Sequence, residues 1–300
     1  MKKNIFVIAA MAAALFGASS CSEEALNPES VITADLYEKN DFDKWLEFNY
    51  VNPYNIDFKY RFEMNESDMN YYTIPADMES ANMMAHLVKY LCVDTYDEVA
   101  GLDFTRGYFP KMFFLIGEWE YRNNGTFILG TAEGGKKILL SGINYLPMYL
   151  KQGADALNHY YIKTIHHEFT HILNQTKDYP VDFKQITGTG YVADSWSEPP
   201  YDSEYLTNGF ISSYAQHSDG EDFAEMLSIY VTNPQEYWDA QLKAAGTTGA
   251  KAINAKLDLV RLYMKSSWNI DINQLRATIL RRQADVVAGK VDLTDITINK

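Results

Sequence analysis

The stretch HHEFTHILNQ, residues 166 to 175, carries the residue pattern that most directly proposes chemistry. His167 and His171 are separated by one helical turn, roughly 40° apart around the axis at about 100° per residue. Two imidazoles so placed can reach one tetrahedral ion at the usual zinc–nitrogen distance of about 2.0–2.1 Å. Glu168, adjacent to the first histidine, is poorly placed to share the ion and well placed to take a proton from a metal-activated water. The pattern is short, and the same residues also arise on a solvated helix face that holds no metal.

Two features of the surrounding sequence favour the metal. Ile162, Ile165, Phe169, Ile172 and Leu173 gather on one helical face within roughly 100°, with the two histidines on the opposite side. His166 lies toward the core side, where packing rather than coordination is expected. A catalytic zinc also needs a third protein ligand and an open position for water. The segment SYAQHSDGEDFAEMLSIY, residues 213 to 230, offers Glu221 and Glu225 one turn apart on a second predicted helix. Ala224 between them is small enough to let another helix approach. Glu221 would be the third ligand, with Asp219 or Asp222 next in line, and Glu225 could hold a ligand histidine through its free ring nitrogen. A different use of Glu221 is open, because Ser218-x-x-Glu221 fits a capping box that would spend the carboxylate on backbone amides. His217 reads as a solvated loop histidine.

The elements that must position these groups follow from periodicity. Helical spacing begins near Asp41 with Phe42, Trp45, Leu46 and Tyr50, and Pro53 ends or kinks it. NIDFKYRFEM alternates like a strand. Helix returns from Pro75 to Tyr90, with Met78, Met83, Met84 and Leu87 as its apolar positions and Cys92 beyond as a buried small hydrophobe. YFPKMFFLIG, GTFILGTAEGG and KKILLSGINYL are branched and aromatic runs separated by Asn-Gly and Gly-Gly turns, which predicts three strands of a small, largely antiparallel sheet. A loop-rich stretch from 176 to about 210 follows the motif helix, and the tail beyond Pro234 is helical with breaks at GTTGA and near Asn269. Helices, then strands, then helices make the chain α+β.

Composition narrows the partners. At 47% hydrophobic and 22% charged the chain is globular, and its formal charge of −14 argues against nucleic acid and anionic head groups. Lys2 and Lys3, the apolar run Ile5 to Phe16, and Gly17 to Ser20 form a secretory signal too short to span a bilayer. The small residues before Cys21 resemble a bacterial lipobox, which implies a diacylated Cys21, and Ser22-Glu23-Glu24 resembles the acidic tag of some surface-exposed Gram-negative lipoproteins. The expected organisation is a signal over 1–20, a tether over 21–33 and one domain over 34–300. Within that domain the N-terminal lobe runs to about 175 and a helical lobe runs from about 176.

HEFTH followed by SYAQHSDGEDFAE resembles the catalytic domain of anthrax lethal factor and its gluzincin relatives, over about residues 160 to 235. That likeness implies a zincin-like fold, zinc held by His167, His171 and Glu221, and Tyr214 pointing at the site to steady an oxyanion. The lipobox, Trp45, Pro53-Tyr54-Asn55-Ile56, HEFTH and Glu221-Asp222-Phe223-Ala224-Glu225 together resemble the substrate import-associated zinc metallohydrolase lipoproteins over most of the mature chain. This resemblance implies an outer-membrane lipoprotein near a nutrient importer but no particular substrate; the expected zinc chemistry, with Glu168 as base, makes a peptide or protein the expected substrate. A rival reading keeps the same shape as a non-catalytic substrate-binding accessory to that importer. Another keeps the metal chemistry but makes the protein an amidase acting on peptidoglycan stems or glycoprotein.

Overall fold

Two short strands buried on both faces form the centre of the sheet in the computed structural model. β2 (Met112–Leu115) and β6 (Lys137–Leu140) lie side by side in parallel, Phe113 opposite Ile138 and Leu115 opposite Leu140. Phe113, Leu115, Ile138 and Leu140 face the main core, while Phe114, Ile116 and Leu139 form a small cluster on the other face. Such near-continuous apolar runs are what strands covered on both sides require. β1 (Asp57–Lys59) adds in parallel beside β2, and β5 (Gly130–Glu133) adds antiparallel beside β6, giving the order β1-β2-β6-β5. β3 (Glu120–Tyr121) and β4 (Phe127–Ile128) form a separate antiparallel hairpin.

The structure describes residues 38–123 and 125–298. The expected signal segment 1–20, the lipidation residue Cys21 and the tether 21–33 lie outside the described residues. The chain is a mixture of helix and sheet, but the expectation of a largely antiparallel sheet is corrected: two of its three strand pairings are parallel. Only the β5–β6 pair is closed by a local turn, where Gly134 and Gly135 both take positive φ (57° and 67°), as a tight hairpin turn demands. The parallel pairings depend on long crossovers, which leave no mark in turn residues. The strand expected over NIDFKYRFEM is also shorter, covering Asp57–Lys59 alone.

Five helices longer than ten residues, among the described residues, surround this sheet: α1 (Met78–Val88), α2 (Lys163–Thr176), α3 (Asp219–Thr232), α4 (Gln235–Trp268) and α5 (Ile272–Val287). In α1, Met83, Met84 and Leu87 are buried as their spacing suggests, whereas Met78, in the first turn, is 48% exposed. α4 bends at Gly246, inside GTTGA, and stops at Asn269 in the left-handed conformation. One core holds residues from Phe42 to Leu293, with free Cys92 fully inside it. Near its start, buried Asp43 accepts from the Tyr60 hydroxyl at 2.8 Å and from both Arg61 Nη atoms at 2.6 and 2.9 Å. No helix among the described residues is long and apolar enough to cross a membrane.

Candidate metal centre

The rotation of α2 is set by its apolar face. Ile165, Phe169, Ile172 and Leu173 are buried in the core, which turns His167 and His171 toward α3. The histidine side is covered rather than solvated: His167 is 4% exposed and Glu168 8%. Beside them, β5 comes close because residue 130 is glycine. A Cβ there would sit 2.7 Å from Leu139 O and 2.9 Å from Thr164 Cγ2 of α2. Ala224, fully buried on α3, is the small residue expected where two helices approach.

Glu221 serves its helix and the site at once. The Ser218 hydroxyl accepts the Glu221 backbone N–H at 3.3 Å, capping α3. The Glu221 carboxylate is left for the histidines, so only the Ser218 half of the capping box forms and the carboxylate is not spent on backbone amides. Its Oε2 lies 2.9 Å from His167 Nε2 and 3.1 Å from His171 Nε2, and the two imidazole nitrogens are 3.1 Å apart. Ligand atoms on a tetrahedral ion with bonds of about 2.0–2.1 Å stand about 3.3–3.4 Å from one another. The triangle is thus a few tenths of an ångström tighter than zinc needs, and its donors, two imidazoles and a carboxylate, are the ones zinc takes.

A second layer holds these donors. Glu225, buried on α3, places Oε1 2.9 Å from His167 Nδ1, off the line of a good hydrogen bond, and 2.9 Å from Lys163 Nζ. Ser212 Oγ donates to its other oxygen at 2.7 Å. Next to Glu221, Asp222 forms a wholly buried ion pair with Lys256 of α4 at 2.6 Å, and Tyr191 donates to the same oxygen at 3.0 Å. Tyr179 donates to Asp219 at 2.7 Å, which occupies that acid away from the histidines. The sequence reading missed Lys163, Ser212, Tyr191 and Lys256. Lys163 had a signal, since it precedes His167 by one helical turn; Lys256 and Asp222 are joined by no local pattern.

The buried carboxylates and imidazoles set one another's charge. Burial alone would push His167 down, but the Glu221 and Glu225 carboxylates outweigh it and raise it to about 10. Burial likewise opposes ionisation of Glu221, yet His167 and His171 hold it well below the usual carboxylate range. Glu225 is also depressed against burial, mainly by Lys163 and His167. A field that retains a proton on a buried imidazole will equally favour a divalent cation. Glu168 is shifted the other way, upward by burial, and receives the Ala132 backbone N–H of β5. His166 is fully buried 3.1 Å from the Tyr96 hydroxyl and pushed down to about 3 by burial. His217 stands 3.5 Å from Asp194, away from the triangle.

Tyr214 closes one side, its ring centre 6.0 Å from that of His167. Burial first, then the Glu221 and Glu168 charges, raise its hydroxyl far above the ordinary phenol value, so it keeps its proton at neutral pH. Tyr214, His167 and Glu168 line a cavity of about 190 Å³ together with Trp196 and the segment Thr126 to Gly130. The neighbouring edge of β5 runs along it. In an antiparallel pair alternate residues exchange hydrogen bonds; Leu129 O accepts from Ser141 N–H, so Gly130 and Ala132 turn their backbone groups outward, away from β6.

Residues 35–273 match the family described as "Putative zinc-binding metallo-peptidase". The crystal structure of "a putative zinc-binding metallo-peptidase from Bacteroides caccae" is 41% identical, covers 89% of this chain and 100% of its own, and superposes with a TM-score of 0.73. No curated protein matches the chain. The buried histidine–histidine–glutamate triangle and a family match over most of the sequence agree: this chain belongs to the zinc-binding metallo-peptidase family, with zinc as its metal.

Proposed function

We propose that the protein hydrolyses peptide bonds with zinc held by His167, His171 and Glu221, as a gluzincin-type enzyme. The observation that carries this reading is the convergence of His167 Nε2, His171 Nε2 and Glu221 Oε2 within 3.1 Å, with buried Glu168 beside them. A zinc ion there supplies Lewis acidity and lowers the pKa of a water toward about 7. Glu168 accepts the water proton and passes it to the leaving amine, and burial raises its pKa in the direction that makes it a better base. The protonated Tyr214 hydroxyl donates to the oxyanion, where a hydrogen bond counts most in the transition state. Lys163 and Ser212 fix Glu225, which steadies His167. The outward backbone groups of Gly130 and the Ala132 carbonyl align an extended substrate by strand addition.

The sequence supports a setting for this chemistry: an outer-membrane lipoprotein anchored at Cys21, working next to a nutrient importer on peptide or protein substrates. The domain organisation proposed with it is a single catalytic domain over 34–300 behind a short tether. Glu168 argues against a purely binding role, because a site that only positions zinc needs no base. The test is hydrolysis of a mixed peptide pool by wild type and Glu168→Gln at matched zinc content. Loss of about 10²–10⁴-fold in the variant is expected. Equal rates, or no cleavage by zinc-loaded wild type, would favour the importer-linked binding protein.

A further inference from the structure

The cavity beside the metal centre carries a charge that the chemistry above does not use. Of the two cations lining it, Lys163 is paired with Glu225 at 2.9 Å. The other is Arg122, in the connection between β3 and β4, and among the described residues its guanidinium makes no ion pair. Its backbone is held on both sides: Arg122 N–H donates to Thr126 O at 2.7 Å, and Arg122 O accepts from Gly125 N–H at 3.1 Å. Neither carboxylate of the cavity pairs with it among the described residues: Glu225 is held by Lys163 and Ser212, and Glu168 accepts the Ala132 N–H.

In a chain with 40 acidic and 26 basic residues, an unmatched guanidinium in the cleft is conspicuous. Phe127, Ile128, Leu129 and Trp196 supply the apolar part of the lining. At about 190 Å³ the cavity falls below the roughly 300–1,000 Å³ of pockets for whole small ligands. It fits one side chain or one chain end of an extended substrate lying along β5. A planar fork of donors in such a place matches a carboxylate with two parallel hydrogen bonds.

We propose that Arg122 makes this cavity a carboxylate subsite, so that the protein selects peptides bearing either an acidic side chain or a free C-terminus close to the cleaved bond. This inference rests on the peptidase reading. Its test uses the zinc-loaded full chain, wild type, Arg122→Gln and Arg122→Glu, on peptides that differ only as Glu, Gln or Lys at each position flanking the cleavage site. A parallel set carries a C-terminal acid or amide.

Wild type should favour the acid over its neutral counterpart by about tenfold in kcat/KM, a modest ratio because Arg122 is exposed. The difference should lie mainly in KM. In Arg122→Gln the ratio should fall to near one, and Arg122→Glu should turn it toward Lys peptides. Sensitivity to Glu against Gln identifies a side-chain carboxylate, and sensitivity to amidation identifies the chain end. A wild-type ratio near one, or a ratio unchanged in Arg122→Gln, overturns the inference. If no peptide is cut, the peptidase reading falls instead, and binding of the same peptides decides: equal Kd for acid and neutral forms overturns this subsite, and an acid preference lost in Arg122→Gln upholds it.

Discussion

Lys256→Met is expected to weaken the fold sharply without touching a zinc donor. Lys256 and Asp222 are both 0% exposed in their side chains and stand 2.6 Å apart. The ammonium also donates to Gly209 O at 2.9 Å and sits 3.9 Å from the centre of the Phe210 ring. Burial pushes Asp222 up to about 6 and Lys256 down, so each group depends on the other to stay charged. Methionine matches much of the lysine stem and removes only the cation. Asp222 would then keep the Tyr191 hydroxyl on one oxygen, while Oδ1, which already has no hydrogen-bond partner, stays unsatisfied. Breaking one side of a buried pair costs about 3–5 kcal/mol. For a domain of this size that is a fall of roughly 10 °C in melting temperature. Replacing both groups, Lys256→Met with Asp222→Leu, should recover most of the loss, because no buried charge is left unpaired. Thermal unfolding of the three variants beside wild type provides the check, with zinc content measured well below the transition. Zinc stoichiometry should hold, since Lys256 contacts neither histidine nor Glu221. A loss under about 1 kcal/mol for Lys256→Met, or a double variant as weak as the single one, would refute the buried-charge reasoning.

Glu221→Ala should lose most bound zinc, whereas Glu225→Ala, which leaves all three proposed donors in place, should weaken zinc by about 10–100-fold in a chelator competition. Gly130→Ala should destabilise by about 1–3 kcal/mol in denaturant unfolding and lower peptide turnover, because its Cβ meets the Leu139 carbonyl at 2.7 Å and that backbone cannot yield without moving β5 from α2. Burial alone would raise the Asp43 pKa, but hydrogen bonds from Arg61, Tyr60 and the Asn40 backbone lower it. A depressed folded value means stability that is present above the unfolded pKa of about 3.9 and lost as pH falls through the folded value. The stability gap between wild type and Asp43→Asn should therefore be full at pH 6 and close progressively below pH of about 4.

How much of this was legible in the sequence depends on the range of the interaction. α2 could be read because the same few residues encode both its apolar face and its polar one: placing Ile165, Phe169 and Leu173 in the core leaves His167 and His171 no other direction. The β5–β6 hairpin was legible for the same reason, as two glycines at positive φ announce it locally. The parallel registers of β1 on β2 and β2 on β6 were not. Asp57 pairs with Met112 across fifty-odd intervening residues, and nothing in either strand specifies which partner it takes. Alternation and turn residues describe a strand's immediate neighbours in sequence, so a reading built on them inclines toward antiparallel sheets.

The same division runs through the site. Glu221 and Glu225 stood out because two acids one turn apart on an apolar helix conflict with its burial unless something positive meets them. Their different partners were not foreseeable. Glu221 meets two imidazoles, and Glu225 meets Lys163 and Ser212 with His167 beside them. Lys163 follows from spacing once His167 is placed, since residues four apart share a helix face. Ser212 and Lys256 arrive from loop and distant helix, where only tertiary structure sets the distance. Helix geometry could therefore nominate the proposed zinc donors and one of their supports. The supports that come from elsewhere, Ser212 on Glu225 and Lys256 on Asp222, are set by tertiary packing.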